Sequence, residues 1–181
     1  MSKLLIASSI LLFFISSQAV SDGLEKEIRS GNYCQTDIFD KYNLHNQIKA
    51  TPLKFAPSEK LLEFVVQMEL MCPWNVQRDF NGDKKNDWIG YVKENEKYQL
   101  VAIISGFRQY SFQIIDESTT PPSNHFVRWL QTKHLTNFTD RKLNLGVSRY
   151  ALQWVNLEGI NKILLWDGKK LESVIETSQI F

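Results

Sequence analysis

The chain is short of most things that would declare a chemistry outright. Only two cysteines occur, Cys34 and Cys72, and they lack the C-x-x-C spacing of a redox pair or a zinc site. The three histidines, His45, His125 and His134, fall in no H-E-x-x-H arrangement and sit beside no cysteine pair, so they are read as solvated or core side chains. There is no G-x-S-x-G elbow and no Cys-Gly-Ser-Cys-Trp context for a nucleophile. Charge of one sign is missing too. With 21 Lys and Arg against 20 Asp and Glu, the chain has no electrostatic footprint for nucleic acid or for an anionic membrane. No segment repeats with a period of about 20 to 50 residues, which excludes solenoids and propellers. Beyond residue 15 no apolar run approaches the roughly 20 residues that span a bilayer.

What is present begins with a leader. Lys3 supplies a positive start, Leu4 to Ile15 an apolar core, and Ser17 and Ala19 the small residues before a cleavage point. These are the three parts of a secretory signal peptide, so 1–19 is expected to be removed and 20–181 to be one exported domain, periplasmic or secreted. The alternative, an uncleaved anchor, is poorly served by so short an apolar run. Lys3 leaves with the leader, so the remaining domain is formally neutral and keeps no membrane anchor. In an oxidising compartment an isolated cysteine pair is expected to bridge, which makes Cys34–Cys72 a disulfide. Closing so long a loop stabilises by roughly 4 kcal/mol in the chain-entropy account.

The fold class expected is α+β: a single domain dominated by antiparallel sheet, with short N-terminal helices and a C-terminal β-meander. Asp37 to Leu44 suits a short helix. Ser58 suits an N-cap, with Leu61, Leu62, Val65 and Met68 on one helical face, although a strand over Phe64 to Met71 is also compatible with Val65-Val66. Trp88 to Val92, Tyr98 to Ser105 and Phe107 to Ile115 are rich in β-formers, with a turn or bulge at Gly106. Asp116 to Asn124 reads as a surface loop and Phe126 to Leu135 as a short helix. Val147 to Val155, Ile160 to Trp166 and Leu171 to Thr177 then make a meander, its last turn marked by Asp167-Gly168. Trp129, Trp154 and Trp166 suit core packing better than a ligand face.

One segment carries chemistry. In Asp79-Phe80-Asn81-Gly82-Asp83-Lys84-Lys85-Asn86-Asp87, oxygen side chains fall at loop positions 1, 3, 5 and 9. A tight loop with that spacing can turn Asp79, Asn81, Asp83 and Asp87 toward one point, with the carbonyl of Lys85 as a further ligand. Ca2+ asks for about six to eight such oxygens. Position 12 is Gly90, so the bidentate glutamate of a helix-loop-helix hand is missing. The alternative is a solvated acidic turn that binds nothing. The run Asp79-Phe80-Asn81-Gly82-Asp83, followed by Asp87-Trp88, resembles the calcium loop of FG-GAP repeats, the blades of integrin-type propellers. That resemblance implies calcium contact by Asp79, Asn81, Asp83 and Asp87 and a strand over Trp88 to Val92. It covers one loop and one strand, and a single copy implies no propeller. The family usually has glycine where Lys84 stands, and a left-handed lysine costs about 1 kcal/mol. More loosely, the layout resembles small exported proteobacterial proteins with one such loop and a C-terminal Trp-Asp-Gly hairpin, here Trp166-Asp167-Gly168.

These observations lead to an expectation of a non-enzymatic domain that binds a protein partner in the cell envelope, made rigid by structural calcium and a disulfide. Its sharper form is an inhibitor or immunity protein against an envelope-acting enzyme or toxin. The rival is a secreted hydrolase or carbohydrate-binding module using the aromatics and the calcium loop.

Overall fold

The computed structural model describes residues 57–68, 72–107, 109–137 and 150–178, together with 26, 34, 51 and 52. The leader, the Asp37 to Leu44 helix and the Asn144 to Gly146 break lie outside the described residues. In chain order the elements are β1 (Thr51–Pro52), α1 (Glu59–Gln67), β2 (Asn75–Arg78), β3 (Asp87–Glu94), β4 (Lys97–Ile104), β5 (Ser111–Ser118), β6 (His125–Gln131), a 3-10 turn (Thr132–Asn137), β7 (Tyr150–Asn156), β8 (Asn161–Trp166) and β9 (Leu171–Thr177). Sheet dominates, as expected. Among the described residues no helix is long and apolar enough to cross a membrane.

Two antiparallel sheets form. The first runs β1-β3-β4-β5, with β2 paired to the same edge of β3 that β1 uses further along. The second is the meander β6-β7-β8-β9. It has one strand more than the three expected, because His125–Gln131 is a strand rather than the start of a helix. Its run Phe126-Val127-Arg128-Trp129-Leu130 is apolar on both sides of the pleat. Such a run cannot be told from a buried helix by periodicity. Helical geometry is confined to the short turn that follows.

Ser58 caps α1: its hydroxyl accepts from the Leu61 amide at 3.1 Å. The same hydroxyl donates to Asn124 Oδ1, and the Ser58 amide donates to the Ser123 carbonyl at 3.1 Å, so the cap also docks the helix on the loop before β6. Leu61, Leu62 and Val65 are buried, and the Phe64 ring meets that of Phe126 at 4.8 Å. The helical periodicity therefore prevails here over the β-branched pair.

The main core lies between the sheets. Ile89, Tyr91, Leu100, Ala102 and Ile104 come from the first, and Leu152, Trp154, Leu164 and Leu171 from the second. The sheets approach at both margins. On one side the Val127 amide donates to the Pro73 carbonyl at 2.8 Å, joining β6 to the segment leading into β2. On the other, the Gln113 side chain takes both backbone groups of Leu171, donating to its carbonyl at 2.9 Å and accepting from its amide at 2.8 Å. Gln113 thus supplies β5 and β9 with the hydrogen bonds that strand pairing would have given. A second cluster of Leu135, Ala151, Ile163 and Leu165 occupies the far face of the meander, which is why β7 and β8 are apolar on both faces.

The Cys34–Cys72 disulfide is formed, with Cα atoms 5.2 Å apart and a sequence separation of 38. Cys34 is buried in the main core, and its carbonyl accepts from Asn75 Nδ2 at 3.2 Å. The bridge therefore fastens the N-terminal part of the chain to the start of β2. Reducing it should lower stability by about 2 to 5 kcal/mol. Urea unfolding with and without reductant measures this, and coincident curves would show that the cross-link constrains nothing.

Candidate functional site

The acidic loop joins β2 to β3, where the sequence places it. Its side chains first serve the loop's own backbone. Asp79 Oδ1 accepts from the amides of Gly82 at 2.6 Å and Asp83 at 3.0 Å, and Oδ2 accepts from Lys84 at 2.9 Å. Asn81 Oδ1 accepts from the Asp83 amide at 3.0 Å, and Asp83 Oδ1 from the Lys85 amide at 2.8 Å. Short acidic and amide side chains do this readily in turns. The backbone they hold is left-handed at two places, Gly82 with φ 83° and Lys84 with φ 69°. The resemblance places a glycine at the second of these, and the lysine adopts the glycine's conformation.

Asp87 is different. Its side chain is fully buried at the first residue of β3 and takes four donors. Oδ2 accepts from the Phe80 amide at 2.7 Å and the Asn81 amide at 3.3 Å, and Oδ1 from the Ser105 amide and hydroxyl, both at 2.7 Å. Burial pushes the Asp87 carboxyl above the ordinary carboxylate range, and these hydrogen bonds pull it back without cancelling the shift. A carboxylate has about four lone-pair positions, so protein donors fill those of Asp87.

Ser105, at the end of β4, is the residue that sequence reasoning missed. Its hydroxyl lies 3.1 and 3.0 Å from the two oxygens of Asp83 and also contacts Asp87, while its carbonyl accepts from Asn81 Nδ2 at 2.5 Å. Lys85 reaches the next residue, its Nζ donating to the Gly106 carbonyl at 3.1 Å. The structure therefore brings Asp83 and Asp87 together around Ser105 and uses Asp79 to cap the turn. Among the described residues no group of three or more His, Cys, Asp or Glu side chains is gathered as a metal cluster. The only sequence signal for Ser105 is its place at the end of an apolar run, before Gly106.

A serine hydroxyl has one proton. It can donate to one of the carboxylates it touches at a time, which leaves Asp83 and Asp87 facing each other with a single shared donor. Close like charges repel. The loop is thus rigid in its backbone, and Asp83 and Asp87 share one hydroxyl donor. Trp129, Trp154 and Trp166 form no exposed ligand face: Trp154 is buried in the core and the other two pack against it.

Comparison with protein-family models, with curated proteins and with solved structures finds no match.

The positive φ at residue 84 orders a set of variants. Lys84→Gly should be at least as stable as the parent, since about 1 kcal/mol of left-handed strain is relieved and part of it is offset by the freedom glycine has when unfolded. Lys84→Val should be the least stable, because a β-branched residue tolerates positive φ worst. Thermal unfolding gives the order, and a valine variant as stable as the glycine one would mean the strain does not exist.

Proposed function

We propose that this is an exported, non-enzymatic domain that binds a protein partner in the cell envelope, and that its 79–87 loop holds Ca2+ in a structural role. In its sharper form the protein is an inhibitor or immunity protein that blunts an envelope-acting enzyme or toxin. The observation that carries the proposal is an apolar patch fixed to the loop. Through Ser105 and Gly106 the loop's side chains fasten the turn leaving β4. Phe107 follows on that turn with 91% of its surface exposed, and β5 then presents Phe112 and Ile114 at 46% and 49%. Phe112 and Ile114 share one face of β5, and grouped exposed apolar side chains mark association surfaces more often than scattered ones. A partner docked there would meet a surface whose geometry the loop controls.

Calcium suits the loop because every ligand on offer is oxygen, which disfavours zinc and copper. Asp79, Asn81 and Asp83 keep lone-pair capacity beyond their backbone bonds, and the Lys85 carbonyl adds a neutral donor. Asp87 would join by exchanging the Ser105 hydroxyl for the cation. A divalent ion placed between Asp83 and Asp87 would supply the compensation that one shared hydroxyl proton cannot. The single-copy likeness to the FG-GAP loop supports the same ligand set.

Ligand binding to the folded state alone stabilises by RT ln(1 + [L]/Kd), about 2.7 kcal/mol at a hundredfold excess. Melting in millimolar calcium should therefore exceed melting in chelator by several degrees, and Asp83→Ala should remove the difference. Equal melting temperatures for the parent protein would leave only the solvated turn.

The docking half is tested separately. Phe112→Asp with Ile114→Lys should melt like the parent protein, because both side chains are about half exposed. Cross-linked capture from a periplasmic extract should recover an envelope enzyme or toxin with the parent and at least tenfold less with the double variant. Equal recovery would remove the patch from the proposal.

A further inference from the structure

A cavity of about 300 Å3 opens at the other end of the domain from the acidic loop, between the β5–β6 connection and the inter-sheet core. Its wall includes Tyr91, Tyr98, Asp116, Glu117, His125 and Trp154. A backbone irregularity makes it polar. β4 and β5 pair Val101 with Ile114 but Leu100 with Asp116, so Ile115 is an extra residue and the pleat shifts by one. Bulges of this kind re-aim side chains. Without the bulge Asp116 would share the outer face with Phe112 and Ile114. With it, Asp116 joins the inner face beside Tyr98 and Leu100, while Glu117 turns outward to Lys97 and Gln99 at 2.6 and 2.7 Å.

The cavity wall is rich in acceptors. Asp116 has no hydrogen-bond or ion-pair partner among the described residues. His125 stacks on Trp154, with ring centroids 5.6 Å apart, and its Nδ1 is shielded from solvent without a partner among the described residues. Burial holds His125 below the ordinary histidine range, so its imidazole is neutral and keeps one nitrogen as an acceptor. Tyr91 accepts from Trp154 Nε1 at 2.5 Å, which fixes the indole edge. Asp116 and Glu158 act on His125, and Asp116 on Tyr91. The aromatic rings already attract ammonium groups at the margin: Lys93 Nζ lies 5.5 Å from the Tyr98 centroid and Lys162 Nζ 4.9 Å from that of Trp154. Such contacts are favourable because the ring face is electron-rich.

We infer that this cavity is a binding site for a primary alkylammonium group, borne either by a free amine or by a lysine side chain of a partner. The ammonium would donate to Asp116, with His125 and the rings completing its surroundings. The inference rests on the cavity and not on the loop or the β5 patch.

The test is titration of the parent protein with n-butylammonium, with N-acetyl-lysine N-methylamide and with neutral 1-butanol, followed by tryptophan fluorescence and by the imidazole NMR signals of His125. Both ammonium probes should bind saturably and at least tenfold more tightly than 1-butanol. Similar affinity for the two points to free amines, and tighter binding of the capped lysine points to a protein side chain. Asp116→Asn should weaken both at least tenfold. Glu172→Gln removes the same charge from β9, outside the cavity wall, and should change affinity less than twofold. Equal binding of 1-butanol, equal losses in the two variants, no saturable binding of either probe, or binding of methyl glycosides in place of amines would each overturn the assignment.

Discussion

A buried carboxylate governs how this molecule is put together. Asp87 has no contact with water, and an ionised group there is tolerable only if its oxygens are met by donors. Two of those donors are the Phe80 and Asn81 amides, from the loop that has just left β2, and the other two belong to Ser105 at the end of β4. One side chain therefore ties three segments of the chain together at one end of the first sheet. Phe80 is carried into the core by the same contact, and the loop cannot swing away without stranding the charge. Losing any of these donors would leave part of a buried carboxylate unmet, a larger penalty than a missing surface hydrogen bond. The left-handed Lys84 persists for the same reason: the surrounding bonds over-determine a conformation that the residue would not choose alone.

From this fixed end the sheet extends to a second constraint. β3 and β4 pair without a break across seven positions, and their inner faces give the core Ile89, Tyr91, Leu100, Ala102 and Ile104. Sheets with free margins expose unpaired backbone. Here the margins meet the second sheet, through the Val127 amide on one side and the Gln113 side chain on the other. The two seams differ in kind. The first is a backbone contact, which almost any sequence could make. The second depends on an amide side chain long enough to present a donor and an acceptor together, and it closes the sheets beside an edge strand whose outer face stays apolar and exposed.

Much of this was legible in the sequence, and the rest was hidden for identifiable reasons. β3, β4, β8, β9 and the capped helix show in their periodicity, cap and turn residues, because each has a polar boundary at both ends. Asp167 illustrates such a boundary: its Oδ1 accepts from the amides of Lys169 and Lys170, and Gly168 takes a φ of 104°. β6 reads as a helix in the sequence because the meander is covered on both faces, so its alternation vanishes. The sequence suggests a start for β5 four residues before its true one at Ser111, since Phe107 and Arg108 look like strand residues. The disulfide followed from counting cysteines. At the loop, the identity of Asp79, Asn81, Asp83 and Asp87 was plain from spacing, but what each does was not. Ser105 is distant in sequence and becomes a partner only through the β3–β4 pairing.

Asp116 shows where local reading has to fail. Beside Glu117 it looks like half of a solvated acidic pair, and two-residue alternation would assign it to the same face as Phe112 and Ile114. A single extra residue, Ile115, reverses that assignment and separates the pair onto opposite faces. Nothing in the composition of the strand announces the bulge; it arises where β4 and β5 must accommodate both the core below and the turn toward β6. The consequence is electrostatic. Glu117 finds Lys97 and Gln99 on the outside, where water screens whatever remains. Asp116 faces inward toward Tyr91 and His125, half-buried and without an ion-pair partner among the described residues, in a place where each neighbouring aromatic ring leaves less water to screen its charge. The same one-residue shift thus turns an ordinary edge strand into the wall of a polar cavity, leaving Phe112 and Ile114 as the apolar outer surface of that wall.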